Sequence, residues 1–156
     1  MQVGHNPLST LAVNNLRVGS VIYKFCDFTT PPKHKFMVVA SMEPRLLVLM
    51  INSEINQYFY MNNTDQFHVE IDAESHAFLT HDSYANCVAA HRAFDCTDLK
   101  QEIAQNYRNV FKGWLTDDCL VAVYQAVKGN IEIRRGHQRE IMASIEQRLP
   151  HLHSAF

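Results

Sequence analysis

Two apolar runs, Phe36–Ala40 and Leu46–Ile51, are separated by a turn-like Met42-Glu43-Pro44-Arg45. Their length and valine content predict strands buried in a sheet. Folded as a hairpin, they make a platform with both polar ends at one sheet edge, Lys33-His34-Lys35 before the first run and Asn52-Ser53 after the second. Upstream, Gly19-Ser20 opens a stretch, Ser20–Phe28, whose aromatic and β-branched content predicts another strand. Downstream, Gln57–Met61 is a short aromatic run closed by the turn signal Asn62-Asn63-Thr64-Asp65. Phe67, Val69 and Ile71 alternate with His68 and Glu70, the period of a half-buried strand. Phe78-Leu79 leads into a last strand ending at Cys87. Five or six short strands joined by tight turns predict a small barrel or a strongly curved sheet.

The period changes near Asp95. Asp98, with Gln101 three residues on, is suited to cap a helix carrying Leu99, Ile103, Tyr107 and Val110 on one face, ended by Lys112-Gly113. Thr116 or Asp117 caps a second helix with Leu120, Val123, Tyr124 and Val127 along one side, stopped by Gly129. Ile131 and Ile133 read as a brief extended bridge. A third helix after Gly136 carries Ile141, Ile145 and Leu149 and closes at Pro150. The expected organisation is α+β: an N-terminal arm over residues 1–18, a barrel over 19–94, about three helices packed on it over 95–150, and a loose tail over 151–156.

At 156 residues, 47% of them hydrophobic and 19% charged, the chain suits one domain with a core of its own. The formal net charge of −2 argues against coating nucleic acid by bulk charge and leaves room for a local basic site. The four cysteines, Cys26, Cys87, Cys96 and Cys119, are scattered without a C-x-x-C pair, which fits packed, reduced thiols in the cytoplasm. No signal peptide is recognisable at the N-terminus. No apolar run approaches the roughly 20 residues that span a bilayer, so no membrane association is expected.

Three stretches carry candidate chemistry. Lys33-His34-Lys35 places two ammonium groups and an imidazole at a strand head. Histidine exchanges protons near neutrality, and lysine stabilises charge that develops on a phosphate. A solvated loop that keeps the strand end soluble is the plain alternative. Ser53, in Asn52-Ser53-Glu54, offers a hydroxyl for a phosphate oxygen, or simply completes a turn. In His81-Asp82-Ser83-Tyr84, strand alternation puts His81 and Ser83 on one face and turns Asp82 away; a structural role at the strand entry is the alternative. His76, His81, Cys87, His91 and Cys96 lie close in sequence but match no zinc spacing, so no metal site is assigned. Arg134, Arg135, His137 and Arg139 suit a solvated helix start, or an RNA or partner contact. No P-loop, G-x-G-x-x-G, G-x-S-x-G or H-E-x-x-H occurs, so no cofactor is expected.

The order of Gly19-Ser20-Val21-Ile22, Lys35-Phe36-Met37-Val38-Val39, Ile51-Asn52-Ser53 and Leu79-Thr80-His81-Asp82-Ser83-Tyr84 resembles the MazF/PemK-like toxin superfamily, closest to its divergent PemK-like branch. The resemblance covers about Gly19 to Cys87. It implies a small SH3-like β-barrel and a metal-independent endoribonuclease of a type II toxin–antitoxin system. Lys35 and Ser53 fall where the family carries a basic residue, usually arginine, and a hydroxyl residue, usually threonine. Lysine keeps the charge but loses the flat, bidentate grip on phosphate. The implied partners are single-stranded RNA, a cognate antitoxin protein and a second copy of the chain.

Two functional readings follow. In the first, a 2′-hydroxyl of single-stranded RNA attacks the adjacent phosphate. Lys35, Ser53, His34 and His81 are the catalytic candidates, Lys33 and Ser83 help hold the substrate, and Tyr58, in the aromatic run, stacks a base. In the second, the barrel keeps the fold without the catalysis and binds a protein or nucleic acid, its helices forming the partner surface.

Overall fold

The computed structural model describes residues 7–155. Its elements run α1 (Pro7–Asn14), β1 (Ser20–Cys26), β2 (Lys33–Ser41), β3 (Leu47–Asn52), α2 (Gln57–Met61), β4 (His68–Ile71), β5 (Ser83–Asn86), α3 (Cys96–Val110), β6 (Phe111–Trp114), α4 (Asp117–Gly129), α5 (Arg135–Arg148) and α6 (His151–Ala155). The two platform runs pair as an antiparallel hairpin, Met37 opposite Met50 and Val39 opposite Val48. From this centre the sheet extends in the order β4-β5-β3-β2-β1-β6, every pair antiparallel. The fold is α+β: a curled, six-stranded half-barrel followed by C-terminal helices.

The platform has no polar face because both its sides are covered. Val38, Ala40, Leu47, Leu49 and Ile51 pack with Leu120, Val123 and Val127 of α4 and Ile141 and Ile145 of α5. On the opposite face, Met37, Val39, Val48 and Met50 pack with Leu99 and Ile103 of α3. A strand covered on both sides reads as a continuous apolar run. Each of these side chains larger than alanine contributes about 1.5–3 kcal/mol through burial.

Several elements differ from the sequence reading. Within the expected arm, residues 7–14 form a helix; residues 1–6 lie outside the described part. The short aromatic run Gln57–Met61 is a helix, because the Asn56 side chain accepts the Tyr58 N–H and starts a helical turn. The cap of α3 is Asp95, whose carboxylate accepts the N–H groups of Thr97 and Asp98; Asp98 itself lies inside the first turn. Thr116 caps α4, its Oγ1 accepting the Cys119 N–H at 3.2 Å.

Lys112-Gly113 does not end the first C-terminal helix. It lies in β6, which leaves α3 directly and pairs with β1 at Ser20–Ile22. Gly113, at φ +133°, allows the register shift between Val21 and Ile22. The sheet therefore takes its outer strand from beyond residue 94. Ile131 and Ile133 lie in a turn, with Ile131 exposed and Ile133 buried. The tail is helical through Ala155 and anchored by Leu152, which joins the core; Phe156 lies outside the described residues.

Candidate active-site cleft

The head of β2, the end of β3 and the entry to β5 meet at one end of the sheet. Between them lies a cleft of about 340 Å³ lined by Lys33, His34, Lys35, Ser53, His81 and Ser83, three separate stretches of sequence brought together. Its walls are aromatic. Tyr23 and Phe36 face each other across the β1–β2 register with ring centroids 4.8 Å apart, and Phe78 lies 5.8 Å beyond Phe36. Nothing in the sequence marks these three rings as sharing a wall, since they come from β1, β2 and the segment before β5.

His34 is exposed. Its ring is flanked by Tyr23 and Phe25, with both centroid separations 5.4 Å. At the β5 entry, His81 Nδ1 lies 3.1 Å from the Asp82 carbonyl oxygen and 3.4 Å from Ser83 Oγ. The tautomer that carries its proton on Nδ1 donates to that carbonyl and leaves Nε2 as a proton acceptor. Asp82 turns away, its Oδ1 accepting the Ala73 N–H at 2.8 Å, so His81 and Ser83 form a pair without it. Ser83 is buried and also donates to the His81 carbonyl oxygen at 3.3 Å.

Lys35 behaves differently from its neighbours. Alternation puts it on the Met37 and Val39 side of β2, opposite to His34 and Phe36. Continuing the register from Met37 opposite Met50 brings Asn52 opposite Lys35, and Lys35 Nζ donates to Asn52 Oδ1. Burial holds the Lys35 ammonium below the usual lysine range, and the adjacent Lys33 charge pushes the same way. Lys35 thus lines the cleft while its charged end is held by Asn52, a partner the sequence did not single out. Lys24, opposite Lys35 on β1, is ion-paired with Glu102 of α3.

Tyr58 stands apart from the cleft, exposed on α2. The histidines and cysteines weighed as metal ligands do not converge. His76 is buried, with Nδ1 2.8 Å from the Asp72 carbonyl oxygen and Nε2 accepting the Thr116 N–H at 3.2 Å. Cys87 lies in the core, and His91 faces Phe28 at 5.1 Å. Among the described residues, no three His, Cys, Asp or Glu side chains are grouped as a metal site. Of the late basic group, His137 is buried at the start of α5, where burial and then the Arg134 charge lower its pKa.

No protein-family model matches the chain, and no curated protein or solved structure is similar enough to count as a match. The candidate site therefore stands on its own geometry.

Proposed function

We propose that the cleft binds single-stranded RNA and cleaves it without a metal, by attack of a 2′-hydroxyl on the adjacent phosphate. The observation that carries this reading is the gathering of His34, His81, Ser53, Ser83 and Lys33 around one open cleft. Two histidines can divide the proton transfers: His81 takes the 2′-hydroxyl proton through Nε2, and His34 donates one to the departing 5′-oxygen. Lys33 supplies positive charge to the phosphate as it becomes pentacoordinate, while the Lys35 ammonium stays with Asn52. Ser53 offers a hydroxyl to the phosphate oxygens, while Ser83, whose proton goes to the His81 carbonyl oxygen, sits beside the His81 ring and helps position it. The P–O5′ bond breaks as the P–O2′ bond forms, giving a 2′,3′-cyclic phosphate and a free 5′-hydroxyl. The family resemblance adds an antitoxin protein and a second copy of the chain as expected partners.

A second reading rests on one observation: Asn52 holds the Lys35 ammonium that the family's chemistry would direct at phosphate. On that reading the domain binds RNA or protein and does not cut. Incubation of purified protein with single-stranded RNA in EDTA separates the two. The enzyme reading expects cyclic phosphate ends, and no cleavage at a linkage blocked by a 2′-deoxy sugar. RNA left whole at saturating protein, or cut equally at the blocked linkage, removes the enzyme reading.

A further inference from the structure

The cleft does not end at His34. A second groove, about 410 Å³, begins on the other side of Tyr23 and His34, which line both. Its outer wall is the last part of α3, including Asn106 and Asn109, together with Lys112.

Three features make this groove suited to a nucleotide. First, β6 covers β1 only at Ser20–Ile22, so Tyr23–Cys26 has no strand on its outer edge among the described residues. Phe25, on that segment, is 51% exposed and edge-on to His34, which in turn faces Tyr23. Phe25, His34 and Tyr23 form a row of rings leading into the cleft, and exposed rings stack bases with little regard to sequence. Second, Lys112 Nζ lies 5.8 Å from the Tyr23 ring centroid, putting a cation beside the row for a backbone phosphate. Lys24, on the same groove, is neutralised by Glu102. Third, α3 loses helical geometry at Asn106 (φ −150°, ψ 53°), and Asn109 Nδ2 donates to Asn106 Oδ1 at 2.9 Å. Asn109 Oδ1 and Asn106 Nδ2 then remain as an acceptor and a donor on the groove wall, the combination that reads a base edge.

We propose that the groove between the outer edge of β1 and the break in α3 holds the nucleotide next to the phosphate in the cleft. Its base stacks on the Phe25–His34–Tyr23 row, and Asn106 and Asn109 set base preference. This rests on the RNA reading above. It adds a specificity element from the segment beyond the toxin-like region.

The test is fluorescence anisotropy with non-cleavable 2′-O-methyl oligonucleotides, randomised one position at a time, which measures binding whether or not the protein cuts. Phe25→Ala is expected to weaken binding roughly 5- to 150-fold, the range of one base–aromatic stack, and Phe25→Trp to restore it. Asn106→Ala/Asn109→Ala is expected to flatten base preference at one position, with little loss of affinity for the best-bound base edge elsewhere. Circular dichroism melts establish that each variant is folded. If the wild type binds and discriminates but Phe25→Ala and the asparagine pair behave like it, the groove proposal falls and the RNA reading stands. If the wild type binds no single-stranded oligonucleotide, both fall.

Discussion

Lys35 on β2 and Asn52 on β3 are joined across the end of the platform, ammonium to side-chain carbonyl. The pair fixes where the Lys35 charge sits, one residue away from Ser53. Replacing Asn52 with leucine leaves a half-buried ammonium without its acceptor. The expected loss is about 1 kcal/mol, below the usual range for charged hydrogen bonds because the site is partly solvated. Adding Lys35→Met should recover most of it. Denaturant midpoints for the two single variants and the double variant give the coupling directly. Strict additivity would mean that the bond contributes nothing.

Tyr124 on α4 donates to Glu146 on α5 at 2.6 Å. Burial, and then this hydrogen bond, push the phenol up to about 12 from its ordinary value near 10. A raised folded-state value gives stability that is complete below the unfolded value and is lost as pH rises through the folded one. Stability of the wild type should therefore fall relative to Tyr124→Phe between about pH 10 and 12. Paired denaturation curves at pH 9 and 11 measure the change. A difference that stays constant across that range would contradict the assignment.

The thiols should separate by burial. Cys87 and Cys119 sit in the core; burial raises both, Cys119 to about 11 and Cys87 further, and Cys26 is also raised by burial. Cys96, at the first residue of α3, is only half buried. Brief iodoacetamide treatment of the folded protein should give one adduct, at Cys96, and denaturation should open all four cysteines. Peptide mass mapping checks this, and early labelling of Cys87 would show that the core is not closed as described.

The platform was legible because no polar position interrupts Leu46–Ile51, and its short length and valine content suit a strand covered on both faces. The C-terminal helices were legible from their apolar spacing. β6 was not, because Phe111-Lys112-Gly113-Trp114 is four residues long, contains glycine and follows α3 without a turn. The aromatic run Gln57–Met61 carried no clear period, because its aromatics favour strands while one asparagine cap decided the local geometry. At the cleft, His34, Ser53, His81 and Ser83 could be picked out as polar residues at strand ends. The partner of Lys35 could not, since a single-residue change of register would exchange Asn52 for Ser53. The aromatic walls were hidden for a different reason: a phenylalanine in a wall and one in a core look alike in sequence.

The most direct test of the central claim is cleavage of one defined single-stranded RNA in EDTA by wild type, His34→Ala, His81→Ala and Tyr58→Ala. Each histidine variant should lose about 100-fold or more in rate, the usual contribution of a general acid or base, and Tyr58→Ala, outside the cleft, should cut like wild type. Equal rates in all four, or loss in Tyr58→Ala alone, would contradict that claim.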